Sequence, residues 1–209
     1  MTSGTIKLII AIDIDDVLFP FVSSVVDHHN SIKGTSLVAE DFLSFNFREY
    51  WGGSEEESMQ MIDSFLSKNV LHLQPMSGAR HALNRLKQDF TIILVTARNG
   101  EYQLETNRWL QKHFIGLFDS IVFAGNPQDG RVFRTKGEIC QEIGAVLLID
   151  DHPKNILSVI ERGIDGVLFG EKPWSVMNEL PAAFVTHCKD WAEVERYIYG
   201  DWQPKQLSR

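Results

Sequence analysis

A chain of 209 residues that is 44% hydrophobic and 23% charged can bury one sizeable core with a small appended unit. It is too polar for a membrane protein and too apolar for a disordered one. Its formal charge of -8, from 20 basic and 28 acidic residues, with a pI near 5.3, argues against a nucleic-acid polymer as partner, because backbone binding needs clustered Lys and Arg.

The N-terminal apolar run Leu8 to Ile12 has a lysine before it and three aspartates just after it, which suits neither a signal peptide nor a membrane span. As part of Lys7 to Ile14 it reads instead as a strand buried on both faces of a parallel sheet. About seventy-five residues separate it from the next such run, Thr91 to Val95, far more than a simple crossover needs. Residues 20–74 are therefore expected to be a small helical cap inserted after strand 1, leaving 1–19 and 75–209 as the α/β core. Inside the insert, Phe21 to Ile32 and Glu55 to Lys68 read as helices. Phe42, Phe45, Phe47, Tyr50 and Trp51 read as an aromatic cluster, and Gly52-Gly53 as a bend. His28 and His29 are adjacent on a helix, cannot chelate one metal, and are expected to be solvated.

Ala79 to Lys87 reads as the crossover helix into Thr91 to Val95. Tyr102, Thr106, Trp109, Leu110 and His113 then repeat at helical spacing. Strands are predicted at Ser120 to Ala124, Val146 to Ile149 and Gly166 to Phe169, with a helix over Pro153 to Arg162 that starts on proline and stops at Gly163. Pro173-Trp174 either closes one side of a site or packs the sheet edge. Trp191, Val194, Tyr197 and Ile198 mark a final helix, and the tail from Gly200 is expected to fray. Cys140 and Cys188 are too few and too widely spaced for a disulfide framework or a zinc site, so buried thiols in a reducing, cytoplasmic compartment are expected. The alternation predicts an α/β fold, a Rossmann-like doubly wound parallel sheet of order 3-2-1-4-5.

Chemistry gathers at the predicted strand ends. Asp13 and Asp15 alternate onto one side after the first strand, and two such carboxylates repel unless a cation neutralises them; hard oxygen ligands of this kind suit Mg²⁺. The second strand ends at Thr96 and the fourth at Asp150-Asp151. In the order 3-2-1-4-5 strands one and four are neighbours, so Asp13, Asp15 and Asp150 converge at the point where strand order reverses. Thr96 stands to one side, and Lys136 reaches in from the start of a helix.

In this order, IIAIDIDDVL, ILVTA, Lys136 and LLIDD resemble the four motifs of the haloacid-dehalogenase (HAD) superfamily. PMSGARHAL, the small insert and WLQKHF…FDSIVFAG are similar to the 5'(3')-deoxyribonucleotidase branch and its microbial relatives, over roughly residues 7 to 175. The resemblance implies a Mg²⁺-dependent phosphomonoester hydrolase working through an aspartyl-phosphate on a small phosphorylated metabolite such as a (deoxy)nucleoside monophosphate. It implies no membrane and leaves the oligomeric state open. Asp13 would be the nucleophile and Asp15 the acid and base. Thr96, the N–H of Ala97 and Lys136 would hold the phosphoryl group. Asp13, Asp15 (through its backbone carbonyl) and Asp150 would ligate the metal, with Asp151 acting through water or orienting Lys136. Phe21, Phe47 and Trp51 are the candidates to stack on the leaving group. The branch carries Ser-Pro where this chain has Ala97-Arg98, and Gly where it has Asp16. Arg98 either contacts a second substrate anion or pairs with a surface carboxylate.

Three other readings compete. A receiver-like signalling domain carries its lone phosphoacceptor on strand three, whereas here the third run ends in Ala124-Gly125-Asn126 and the second acidic pair comes last. An inactive scaffold would not need all five polar positions. A non-nucleotide phosphoester suits the aromatic insert as well as a nucleobase does.

Overall fold

The computed structural model describes residues 7–68, 70–125, 134–175 and 185–204. Six strands make one sheet of order β3-β2-β1-β4-β5-β6, in which every neighbouring pair is parallel. They are β1 (Ile9–Ile12), β2 (Thr91–Asn99), β3 (Ser120–Gly125), β4 (Ala145–Asp150), β5 (Asp165–Phe169) and β6 (Val185–Cys188). The five expected strands and their order are present. β6 was not foreseen: its four residues, VTHC, are only partly buried and lack the apolar run by which a strand buried on both faces is recognised.

β1 lies between β2 and β4, and all six residues of β4 are buried. The chain winds outward through β2 and β3 on one side of β1 and through β4, β5 and β6 on the other. The crevice at the carboxyl ends of β1 and β4 is thus the topological switch point. Helices cover both faces. α4 (Ala79–Asp89), α5 (Gln103–Phe114) and α8 (Trp191–Arg196) bury Leu83, Leu86, Trp109, Phe114 and Trp191 in one cluster with Ile10 and Ile12 of β1. α6 (Lys136–Ile143) and α7 (Pro153–Ile160) bury Ile139, Cys140, Ile156 and Val159 against Ala11, Val95 and Leu148 on the other face.

Residues 20–74 contain α1 (Phe21–Lys33), the single turn α2 (Arg48–Trp51) and α3 (Glu55–Lys68). α1 stops at Gly34, whose φ of 68° permits the left-handed cap and whose N–H donates to the Asn30 carbonyl. The buried residues Val22, Val25, Phe42, Phe47 and Phe65 join the cluster on the α4/α5 side of the sheet. His29 departs from expectation: it is 4% exposed, stacked at 4.7 Å on Trp51 and hydrogen-bonded to Thr35, because its side of α1 faces α2. His28 lies against the Phe65 ring.

The C-terminal segment is also more ordered than expected. After α8 one π-helical turn, Tyr197–Asp201, brings Trp202 into the core, where its indole N–H donates to Asp165 at 2.9 Å. Residues 205–209 of the expected frayed tail lie outside the described residues. Both cysteines are buried, and burial pushes both thiols up to about 12, so they act as small apolar side chains. Among the described residues no helix is long and apolar enough to cross a membrane.

Candidate active site

Each acidic side chain of the site is delivered by the end of a strand. Asp13 follows β1 directly, and its N–H donates to the Ile149 carbonyl at 3.0 Å, so the β1–β4 pairing continues as far as the functional residue. Asp150 is the last residue of β4. Its Oδ1 accepts from the His152 N–H and from Asn155 Nδ2, both at 2.9 Å, which leaves Oδ2 for Lys136.

Lys136 is the first residue of α6, whose start is held by a capping box. Thr135 Oγ1 accepts the Glu138 N–H, and the Glu138 carboxylate accepts the Thr135 N–H. From that anchored position Lys136 Nζ lies 2.6 Å from both Asp13 Oδ1 and Asp150 Oδ2. Burial works against its positive charge, but Asp13 and Asp150 more than offset this and raise its pKa, so it stays protonated.

Three buried carboxylates, Asp13, Asp150 and Asp151, place one oxygen each within 4.8 Å of one another. Burial lifts the Asp13 carboxyl to about 8, opposed by Lys136 and reinforced by Asp150 and Asp15. Asp151 is raised as well, first by burial and then by Asp150, Asp13 and Asp16. One lysine cannot neutralise three crowded carboxylates, and a divalent, oxygen-seeking cation fits such a cluster. Asp151 therefore enters the cluster itself. It does not orient Lys136, which is held by Asp13 and Asp150. The Asp151 carboxylate instead accepts the Trp174 indole N–H at 2.6 Å, and its backbone carbonyl accepts the Ser175 hydroxyl at 2.8 Å. Trp174 thus combines the two roles weighed for Pro173-Trp174: it is buried in the core cluster and also holds the Asp151 side chain beside the site.

Asp15 stands apart from this cluster. Its carboxylate is gripped by Arg98, whose Nη2 lies 2.7 Å from Oδ1 and whose Nε lies 3.0 Å from Oδ2. Arg98 thus pairs with a carboxylate inside the site, not with one on the surface, and it also lines the cleft. Thr96 lies within β2, which runs on to Asn99 with a register shift after Thr96. Thr96 is fully buried, and its Oγ1 accepts the Arg98 N–H at 3.1 Å. Its hydroxyl proton remains free to be donated.

A cleft of about 510 Å³ opens above these groups, with Asp13, Asp15, Asp151 and Lys136 among its lining residues. The insert contributes an apolar wall of Phe21, Phe45, Met59, Ile62 and Leu66. Ala97, Arg98, Asn99 and Tyr102 line it from the end of β2, and His152 and Asn155 from the start of α7. Phe21 thus faces the cleft as expected, whereas Phe47 and Trp51 do not. Phe47 is 5% exposed and stacks on Trp51 at 4.8 Å, and Trp51 in turn lies on His29. The single turn of α2 aims both rings inward to build the insert. The aromatic that reaches over the site is Phe45, 5.2 Å from Trp174 and 5.5 Å from His152. A second cavity of about 510 Å³, between α1 and α3, shares no lining residue with the cleft and contains none of these carboxylates.

Sequence reasoning also missed Asp16. Its φ of +56° explains why a glycine serves at this position, and its carboxylate accepts the Val22 N–H at 3.1 Å, capping α1. Lys172 Nζ lies 3.3 Å away, and burial, opposed by Lys172, lifts Asp16 to about 6. An aspartate shortly before a helix was the available signal.

The sequence profile of the family described as "5' nucleotidase, deoxy (Pyrimidine), cytosolic type C protein" matches residues 7–203. No curated protein matches the sequence. Among solved structures, the chain is similar to a haloacid dehalogenase-like hydrolase from Streptococcus pneumoniae, with 17% identity and a TM-score of 0.66 over 92% of this chain and 98% of that one. A magnesium-bound protein described as a HAD hydrolase from Bacillus subtilis aligns at 14% identity and a TM-score of 0.62, over 93% and 100% of the two chains. A HAD-superfamily hydrolase of subfamily IA from Geobacter sulfurreducens aligns at 16% and 0.59, over 94% and 99%. At these identities the three likenesses establish the fold.

Proposed function

The chain belongs to the family of 5' nucleotidase, deoxy (pyrimidine), cytosolic type C proteins, within the HAD superfamily, and is a phosphatase; from that premise we propose that it hydrolyses a small phosphomonoester, such as a (deoxy)nucleoside monophosphate, through an aspartyl-phosphate on Asp13. The observation that carries this reading is Lys136, ion-paired on both sides to Asp13 and Asp150 beneath an open cleft. That arrangement leaves a buried carboxylate aimed at the space where a phosphoryl group would sit.

In the proposed sequence an Asp13 oxygen attacks phosphorus in line as the P–O bond to the leaving group breaks. Asp15 gives its proton to the departing ester oxygen. Water then attacks phosphorus and loses a proton to Asp15, and the P–O bond to Asp13 breaks, releasing phosphate and restoring the Asp13 carboxylate and the protonated Asp15. Lys136, the Ala97 N–H and the Thr96 hydroxyl hold the phosphoryl oxygens. Asp13, Asp150, Asp151 and the Asp15 backbone carbonyl would hold Mg²⁺, which when bound offsets the charge that nucleophile and phosphate bring together.

Residues 20–74 act in this reading as a cap over a core of 1–19 and 75–209, since their apolar wall lines one side of the cleft. The description of the Bacillus subtilis protein reports interdomain movement for that molecule. The buried thiols and the cytosolic family description support a cytoplasmic site of action. The test is a hydrolysis screen over nucleoside monophosphates, sugar phosphates and phosphopeptides, with Mg²⁺ and with EDTA. Mg²⁺-dependent release of phosphate from a small monoester is expected. Preference for phosphopeptides, or release indifferent to Mg²⁺, would overturn the reading.

A further inference from the structure

Arg98 is a buried cation with an elaborate seat. Its side chain is 3% exposed, against 22% for the Asp15 side chain it binds. Nε lies 3.2 Å from Oδ1 and 3.0 Å from Oδ2, Nη2 lies 2.7 Å from Oδ1, and Nη1 donates to Thr106 Oγ1 on α5 at 3.0 Å. The guanidinium carbon stands 4.5 Å from the centre of the Phe19 ring. Phe19 belongs to the same turn as Asp15, to which it is bridged through the backbone, and its ring is fixed edge-on to Trp109 at 4.9 Å. Three parts of the fold therefore converge to hold one planar fork: the turn after β1, the end of β2, and α5.

As a stabilising device this is poor value, because desolvating a guanidinium and a carboxylate offsets much of their attraction, and an apolar pair of similar volume packs as well. A forked guanidinium does supply orientation, since it fixes the plane of a carboxylate where a single-point donor leaves it free to rotate. The bonds are also unequal. Oδ1 accepts two of them and Oδ2 only one, so Oδ2 keeps the larger free capacity.

We propose that Arg98 is the positioning residue of the acid–base step, setting the plane of the Asp15 carboxyl so that Oδ2 meets the ester oxygen as it departs. The inference rests on the reading of Asp15 as the proton donor and adds to it a residue outside the set proposed above to hold phosphate or metal. The proton passes from Oδ2 to the leaving oxygen, and in the second half Oδ2 takes one from the attacking water. Arg98 keeps all its own protons throughout.

The test compares leaving groups. p-Nitrophenolate departs without a proton, whereas the alkoxide of an alkyl phosphate needs one, and kcat/KM for a two-step hydrolysis reports the transfer to Asp13 only. For Asp15→Asn, the ratio of alkyl to p-nitrophenyl kcat/KM is expected to fall about a hundredfold. For Arg98→Met, which keeps the packing on Phe19, it is expected to fall about tenfold or more, with Arg98→Lys in between because it restores charge without the fork. Equal losses on both esters for Arg98→Met, alongside a split for Asp15→Asn, would reduce Arg98 to a structural role and overturn the proposal. No split for Asp15→Asn would overturn the reading of Asp15 and the proposal with it. Should Arg98→Met fail to fold, Thr106→Val, which frees Nη1 at constant volume, decides in its place: the same selective loss, about threefold or more, is expected, and equal losses overturn the proposal.

Discussion

At the scale of single residues, Asp16 pairs a local cost with a local gain. Among the described residues it is the non-glycine residue at positive φ, a conformation unfavourable for a side chain by about 1 kcal/mol. The cap on the Val22 N–H and the facing Lys172 hold it there. Asp16→Ala keeps the strain and removes the cap, so urea unfolding is expected to register a loss of about 2 kcal/mol. Asp16→Asn keeps an acceptor and tolerates the left-handed region, and it should lose less. Asp13 carries a different expectation. Asp13→Asn changes volume little and deletes the nucleophile, so turnover of p-nitrophenyl phosphate should fall by about a thousandfold or more while circular dichroism stays that of the parent. Activity within tenfold of the parent would reject the aspartyl-phosphate route.

Among elements, the approach of α6 to α7 decides where Lys136 points. A Cβ on Gly137 would sit 2.2 Å from the Ser158 carbonyl oxygen, a backbone atom that cannot swing away. Gly137→Ala must push α6 off α7 and carry Lys136 with it, so both kcat/KM and Tm should drop. Gly144, at the other end of α6, has open space around its Cβ position but a φ of +70°. Gly144→Ala should therefore cost about 1 kcal/mol of stability and leave kcat/KM alone. The insert divides in the same way. Phe47→Ala empties a buried site and should destabilise by about 3–5 kcal/mol, whereas Phe45→Ala opens the cleft and should act mainly on KM. The reverse pattern would show that the cleft is lined differently from the way the rings sit here.

For the whole molecule, the buried carboxylates couple stability to pH and to metal. Asp13 is lifted to about 8 from an ordinary 3.8, so across that window the metal-free native state holds a proton that the unfolded chain has released, and stability falls as pH rises. Asp16, lifted to about 6, and Asp151 act in the same direction. His29, His113 and His152 are lowered by burial and act oppositely, gaining stability as pH rises up to about 6.5, above which the unfolded chain too has released their protons. Between pH 6.5 and 8.5, therefore, Tm in EDTA should decline. Saturating Mg²⁺ should flatten that decline and raise Tm most at the alkaline end, because a bound cation keeps the carboxylates ionised. Parallel Tm curves with and without Mg²⁺ would exclude the cluster as the cation site.

What the sequence determines by itself is whatever neighbouring residues decide. β-Branched runs mark β1, β2, β3, β4 and β5; Gly34 marks the end of α1; Pro153 marks the start of α7. A polar residue at the carboxyl end of a buried strand is committed to the switch point, so Asp13, Thr96 and Asp150 could be placed there before any contact was known, and Lys136 at the start of the helix that precedes β4 could be placed above them. The contacts that tertiary structure alone decided join residues distant in the chain. Arg98 finds Asp15 across 83 positions, Trp174 finds Asp151 across 23, and Lys172 finds Asp16 across 156. Periodicity names the aromatics of the insert as a group but cannot say that Phe45 faces the cleft while Phe47 and Trp51 face α1, because neither the segment 34–47 nor the single turn Arg48–Trp51 carries a repeat long enough for a direction to be read from it. β6 escaped notice for the related reason that a half-buried four-residue strand carries too little apolar pattern, and only its pairing with β5 makes it one. Local chemistry is written in short spacings, whereas the partner of a buried charge is chosen by whichever distant element the packed core brings within hydrogen-bonding reach.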